Sequence, residues 1–325
     1  MKIAFLQTNG VYSHKLVSDG IIEALNQIKK EDNTFDFIEH NICKQDDGTI
    51  VAYKPDWVFV SAPLAAGFRT WQKYRNQKCV IYDTEGLYEP ALMRDSMRYA
   101  TIAMTVDKRG CQYFNEWAVQ NNVKCKVYHL PLGFSPNIYH FQTVEEKYKS
   151  DILIAGVMFN RRRDVLEMLE PIKNLYKIKV ICPKDWLGKI IHKNGIEILD
   201  TQSPEEMGKY MSGAKINLCV NRDYEPSNDT KIESTTPGRV FQETACRRMV
   251  MIDNTRPEVF DYFKDNEQIV SYRIDDNGEE LRNKITYYLE HEHEREAIAH
   301  NGHERTMKEN QWYHRIKKVL DILNI

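Results

Sequence analysis

No run of apolar residues in this sequence approaches the roughly 18–20 needed to cross a bilayer. The apolar stretch within Met1–Thr8 is too short for the core of a secretory signal, and no small-residue cleavage site follows it. It reads as a first strand, and the chain as cytoplasmic. A cysteine framework is missing as well. The seven cysteines (Cys43, Cys79, Cys111, Cys125, Cys182, Cys219 and Cys246) form no Cys-x-x-Cys pair and no zinc spacing, so reduced thiols serving as small hydrophobes are expected. Nor is there an excess of one charge: the formal net charge is −2, which leaves no global basic field for nucleic acid or an anionic membrane. Internal repeats and low-complexity tracts are absent, which excludes solenoids and long disordered linkers.

The residues that are present have the balance of an ordinary globular protein, 42% apolar and 28% charged over 325 positions. That length suits two domains burying roughly 70–75% of their unfolded surface, without a disulfide or metal staple. Short β-rich runs alternate with amphipathic stretches. Strands are expected at 2–6, 35–42, 57–61, 79–82, 102–106 and 126–130, and helices at 13–28, 68–76, 91–100 and 108–121. Pro131-Leu132-Gly133-Phe134-Ser135-Pro136, leading to a polar stretch at 145–150, punctuates the chain. The alternation then restarts, with strands at 151–156, 177–182, 196–199, 216–220, 249–253 and 269–272. Helices are expected at 161–175, 204–212, 237–246 and 257–263, and almost continuously from Glu279. The pattern predicts an α/β protein of two Rossmann-like, doubly wound domains facing a cleft, over 1–135 and 150–308. A (β/α)₈ barrel is disfavoured by the mid-chain break and the helical tail.

Ligands of such sheets bind beyond the carboxyl ends of the strands, so the loops there carry the candidate chemistry. After the first strand, Asn9, Gly10 and Tyr12 offer a tight turn on the acceptor side, and Ser13 suits a helix cap. His14 at that helix start would be kept neutral and proton-accepting, or it is a surface histidine near a cap. After 151–156, Gly156 and Asn160 precede Arg161-Arg162-Arg163. This is not a phosphate loop, lacking the Gly-Lys-Ser/Thr ending, but glycine and arginine beside free helix N–H groups make good anion chemistry. Three successive arginines cannot all face one ligand; Arg161 is the one assigned to it. Asn221 and Arg222, directly after 216–220, fall on the same side. At Thr235-Thr236-Pro237-Gly238-Arg239, a threonine is expected to cap the helix and Pro237 to open it, with Arg239 completing a diphosphate cradle. Gln242 and Glu243, one turn on, would reach a ribose or sugar hydroxyl. Asp83 and Glu85 follow the 79–82 strand, as a general base, as oxygen ligands of a divalent ion, or as ordinary turn residues. His291, His293, His300 and His303 fall in a charged helical stretch and read as solvated.

From Arg239-Val240-Phe241-Gln242-Glu243 onward the sequence resembles the CgeB-like (spore maturation protein) glycosyltransferases. The shared features are Arg239 and Phe241, the 249–253 strand ending in Asp253, Phe263, Val270–Tyr272, Tyr287-Tyr288-Leu289 and Trp312-Tyr313-His314-Arg315. The 151–161 stretch and Leu130-Pro131-Leu132-Gly133 also resemble that family, so the similarity covers about the last 200 residues. It implies a GT-B architecture, with the acceptor on the N-terminal domain, a nucleotide-sugar on the C-terminal one, and a last helix, 309–325, returning to the N-terminal domain. It also implies that helix N-termini and basic side chains, rather than a metal or other cofactor, stabilise the departing diphosphate. Two positions depart from the family: Gln242 stands where it has glutamate, and Arg247-Arg248 where it has a small glycine-rich turn.

The reading is therefore of a metal-independent glycosyltransferase using a nucleoside-diphosphate sugar. The acceptor is open among a glycan, a protein, a small molecule and modified DNA. His14, Asp83 and Glu85 are the candidate bases if the reaction inverts configuration. The alternatives are a non-catalytic nucleotide-sugar binding protein of the same fold and a DNA-modifying transferase.

Overall fold

The computed structural model of the protein describes residues 1–7, 12–41, 48–61, 77–88, 90–187, 195–222, 235–274 and 277–323. The chain divides into two compact units, Met1–Gly133 with Pro226–Thr236 and Trp312–Ile325, and Phe134–Glu225 with Pro237–Gln311.

In the first unit, β1 (Lys2–Gln7), β2 (Asp36–Asn41), β3 (Trp57–Ser61), β4 (Lys78–Asp83), β5 (Ile102–Thr105) and β6 (Lys126–His129) form a parallel sheet in the order β2-β1-β3-β4-β5-β6. Crossovers run through α1 (Tyr12–Glu31), α2 (Gly48–Tyr53), α3 (Pro90–Met97) and α4 (Lys108–Gln120). The strands are near-continuous apolar runs because helices cover both faces: all five residues of β3 are buried. Two cores result. One side collects Ile3, Phe5, Phe59 and Tyr82, the other Leu6, Val60, Ile81 and Phe114. The helix expected at 68–76 lies outside the described residues.

In the second unit, β7 (Ser150–Ala155), β8 (Ile178–Ile181), β9 (Ile196–Leu199), β10 (Ala214–Cys219), β11 (Met249–Asp253) and β12 (Val270–Tyr272) pair in the order β12-β11-β10-β7-β8-β9. Around them lie α5 (Asn160–Met168), α6 (Lys184–Leu187), α7 (Pro204–Gly213), α8 (Gly238–Ala245), α9 (Glu279–Glu290) and α10 (Glu292–Glu309). The chain builds outward from β7 to β9, then crosses back to start β10 on β7's other edge. The strand order therefore reverses between β7 and β10. Residues 134–149 pack into this unit through Phe134, Tyr139 and Tyr148. Two expected helices are shorter than the periodicity suggested. The 161–175 stretch stops at Met168 and continues as a 3-10 turn at Glu170–Ile172, where Pro171 lacks the N–H an α-helix needs. Likewise, 257–263 is a 3-10 turn over Pro257–Asp261.

The helical tail breaks at His291 and again after Asn310, and its last piece, α11 (Trp312–Leu323), belongs to the first unit. Its buried residues Trp312, Ile316, Val319, Leu320 and Leu323 recur at helical spacing and join the core that contains Ile21 and Leu25 of α1. Trp312 stacks edge-on against Tyr82 at 6.2 Å, and Tyr313 Oη donates to Glu31 at 2.6 Å. Gly20 is what allows this approach, because a Cβ there would overlap the Trp312 indole. Among the described residues no helix is long and apolar enough to cross a membrane, and the six described cysteines are unpaired.

Replacing Gly20 with alanine tests the packing. Alanine favours a helix over glycine by about 1 kcal/mol, yet overpacking costs about 1–3 kcal/mol. Urea denaturation is expected to show Gly20→Ala less stable than the wild type, and a more stable variant would contradict the contact.

Candidate functional site

The strand order reverses between β7 and β10, and in open α/β sheets ligands bind in the crevice outside the carboxyl ends of the strands at such a switch point. β7 ends at Ala155, followed by Gly156, and β10 at Cys219, followed by Val220. The Val220 carbonyl accepts from Arg162 through Nε at 3.2 Å and Nη2 at 3.1 Å, and from Arg239 Nη2 at 3.4 Å. Arg162 Nη1 donates to the Val157 carbonyl at 2.5 Å. Gly156 has φ +117°, and any Cβ on it would overlap a terminal nitrogen of both guanidiniums. Neither arginine has an ion-pair partner among the described residues. Burial and the Arg239 charge push Arg162 well below the usual arginine range. A guanidinium still stays protonated, so the site carries two positive charges, with the buried Glu243 carboxyl acting on Arg162 through space.

The phase of α5 selects the arginine. Val165, Leu166 and Leu169 are buried, and Arg162, three, four and seven positions before them, shares their inward face at 6% exposure. Arg161 points elsewhere: its Nη1 donates to Thr255 Oγ1 at 2.9 Å and lies 4.0 Å from Asp253 Oδ1. Arg163 is bonded to Asn160, whose side chain is exposed. Arg161, the arginine assigned to an anion from the sequence, is thus directed to Thr255, and Arg162 is the one that meets Arg239 at the Val220 carbonyl.

At α8 the expected cap is also displaced. The helix starts at Gly238, so its cap position is Pro237 (ψ 133°), which has no side-chain acceptor. Thr235 and Thr236 do not cap it. Thr235 Oγ1 instead donates to Asp107 Oδ2 at 3.1 Å inside the first unit, where Asp107 caps α4 through Gly110 N at 2.9 Å. Thr236 Oγ1 is buried without a hydrogen-bond partner. α5, whose cap position is Phe159, likewise has no side-chain cap. Two uncapped helix starts flank the arginines, and both suit anions.

Asn221 does not point to a ligand. It is fully buried, its N–H donates to Asp253 Oδ2 at 2.6 Å and its Nδ2 to Asp253 Oδ1 at 2.8 Å. Asp253 also accepts from Thr255 N at 3.2 Å. This buried knot ties the end of β10 to the end of β11 and fixes the Val220 carbonyl beside it. Arg222 stacks over Phe159 at 5.9 Å, and its carbonyl accepts from the buried Arg256 at 2.9 Å. Gln242 is half-buried, whereas Glu243 is 2% exposed, with Cys219 as its hydrogen-bond partner and both arginines acting on it through space. Burial raises Glu243 to about 7. Its carboxyl is inside the protein, not presented to a ribose as expected.

In the first unit, Asp83 ends β4, is 3% exposed, and accepts from Glu85 N at 3.0 Å and Thr105 Oγ1 at 3.4 Å. Burial raises it to about 7, the bound Glu85 N–H pulls it back, and the Glu85 charge adds to the rise. Glu85 is half-exposed. Helix α1 begins at Tyr12, ahead of Ser13; the side chains of Tyr12 and His14, with Asn9 and Gly10, lie outside the described residues. Among the described residues no group of three His, Cys, Asp or Glu side chains is placed to hold a metal ion. His291, His293 and His300 are exposed, and His303 is half-buried, with Nδ1 at 2.9 Å from the Ala245 carbonyl.

Sequence reasoning missed Arg162, Asp253 and Arg256 as parts of this arrangement. For Arg162 the signal was present, in the i, i+3, i+4, i+7 spacing with Val165, Leu166 and Leu169.

Residues 161–321, which include both site arginines, match the family model described as glycosyl transferase-like. The chain is 23% identical over 269 residues to spore protein CgeB of Bacillus subtilis strain 168, covering 79% of this chain and 80% of the relative. The resemblance to the CgeB-like glycosyltransferases holds. Among solved structures, an α-glucosyltransferase in complex with UDP and a 13-mer DNA containing an HMU base superposes with a TM-score of 0.74 at 12% identity, over all of both chains. Anabaena Alr3699/HepE in complex with UDP-glucose gives 0.70 at 11% identity, over 100% of this chain and 99% of that one. The fold is the GT-B fold of these glycosyltransferases.

The Asp83 environment predicts a pH-dependent stability. Its folded value, about 7, lies above the unfolded value near 4. Below about pH 4 both states hold the proton and nothing is lost; as pH rises toward 7 the folded state loses stability, and the cost levels off above 7. Asp83→Asn removes that cost, so urea denaturation should show a gain of only about 0.5 kcal/mol at pH 4 and of up to about 4 kcal/mol at pH 8. An equal effect at both pH values would contradict the buried, near-neutral carboxyl.

Proposed function

We propose that this chain is a metal-independent glycosyltransferase that moves a sugar from a nucleoside-diphosphate donor to an acceptor. The second unit binds the donor and the first unit the acceptor. One observation carries the reading: two guanidiniums with no ion-pair partner among the described residues converge on the Val220 carbonyl at the switch point, packed so closely on Gly156 that any Cβ there would overlap both. A pair of phosphates supplies the negative charge such a site attracts. In the transition state the same groups hold the charge that develops on the leaving diphosphate, the task a divalent ion performs elsewhere.

UDP is bound in the neighbouring HepE and α-glucosyltransferase structures, which makes UDP-sugars the first donors to test. On the acceptor side Asp83 is buried and spent on internal bonds, so Glu85 and His14 are the bases we propose for an inverting reaction. A retaining reaction would need neither. We place the enzyme in the cytoplasm, in keeping with its unpaired thiols.

The test is calorimetric titration with a panel of nucleoside diphosphates and their sugars, followed by measurement of diphosphate release. Arg239→Ala should weaken the binding ligand about 10- to 100-fold, since a charge-assisted hydrogen bond is worth about 1.5–3 kcal/mol. A wild type that binds none of the panel contradicts the donor site. Binding with no diphosphate release, even by slow hydrolysis, would make the chain a non-catalytic nucleotide-sugar binder.

A further inference from the structure

Glu243 stands one turn after Arg239 on α8, and its carboxyl forms no hydrogen bond or ion pair with either arginine among the described residues. It is 98% buried by its 2% exposure, and its Oε2 has no hydrogen-bond partner. A carboxylate that served only to neutralise the arginines would be expected to pair with one of them, since an unsatisfied buried acceptor costs about 1–3 kcal/mol. Here Arg162 and Arg239 give their hydrogen bonds to backbone carbonyls, and act on Glu243 only through space. The other groups facing the carboxyl are Cys219 from β10 and Cys246 from its own helix. On the remaining elements around α8, Asp253 of β11 is held by Asn221 and Thr255, His303 of α10 lies against the Ala245 carbonyl, and α7 presents the Gly208 carbonyl to Cys246. The charge of Arg239, the Cys219 hydrogen bond and the charge of Arg162 are thus what favour the ionised form of Glu243.

We propose that Glu243 is a built-in counter-charge of the donor site, which takes up one proton from solvent when a diphosphate occupies Arg162 and Arg239, so that donor affinity falls as pH rises. This rests on the donor reading above. The electrostatics give the direction. Burial raises the Glu243 carboxyl to about 7 while the arginines hold it down. A bound dianion cancels the pull of the arginines and raises the carboxyl further, so binding and protonation favour each other. Above the pKa of the free protein the affinity then drops by at most tenfold per pH unit, until the carboxyl of the complex also ionises. Glu243 acts here as a positioning and tuning residue, since it touches no reacting atom.

The experiment is calorimetry with the tightest nucleoside-diphosphate sugar of the panel, starting with UDP-glucose, at pH 6, 7 and 8. Each pH is measured in two buffers of different ionisation enthalpy. The expected wild-type result is a dissociation constant about tenfold weaker at pH 8 than at pH 6, with net proton uptake on binding. Glu243→Gln should bind with no pH dependence, and at pH 8 about as tightly as the wild type at pH 6. Wild-type binding that is independent of pH and takes up no proton overturns the inference, whether or not the variant folds. A variant that keeps the wild-type pH profile overturns it too. If no nucleotide-sugar binds the wild type at any pH, it is the donor reading that fails.

Discussion

The Val220 carbonyl oxygen accepts from two arginines at once, and most of the second unit's construction serves to hold that oxygen in place. The two like charges repel each other, and the Arg239 charge helps to push Arg162 below the usual arginine range. The fold keeps them together with ordinary parts. The inward face of α5 carries Arg162, the start of α8 carries Arg239, and the Asn221–Asp253 knot fixes the strand ends between them. Gly156 leaves room for both guanidiniums, which any Cβ there would overlap. Under the proposed function, the charges that would meet a leaving diphosphate are already in place before it binds.

Each unit also contains one buried carboxyl poised near neutrality, Asp83 in the first and Glu243 in the second. Their surroundings differ. Asp83 accepts a backbone N–H and a hydroxyl, and feels the charge of Glu85; Glu243 feels two guanidiniums and keeps an oxygen unsatisfied. The first carboxyl is tied to the backbone turn that sets Glu85, the second to the charge balance of the arginines. Both cost stability that a neutral isostere would restore, as is usual for groups retained at functional sites.

The alternation of strands and helices was legible because fully buried parallel strands read as continuous apolar runs, as in Trp57–Ser61 and Met249–Asp253. The return of the last helix was readable from Trp312 onward only through family resemblance. Periodicity gives the buried face of α11, but not its partner. Helix ends were less visible: the 161–175 helix stops at Met168 ahead of Pro171, the 257–263 stretch is a 3-10 turn, and the threonines before Pro237 looked like caps although Thr235 bonds Asp107. Which arginine faces inward was written in the spacing to Val165 and Leu166. That Glu243 is inside and Gln242 nearer the surface depends on where α8 starts, which a local sequence pattern places only to within a residue or two.

The most direct measurement is a crystal structure of the protein with a nucleoside diphosphate bound. Density for the two phosphates within hydrogen-bond distance of Arg162 and Arg239, beside Gly156 and the start of α8, is the expected result. Phosphates bound elsewhere, with both guanidiniums still bonded only to the Val220 and Val157 carbonyls, would contradict the assignment of this crevice as the donor site.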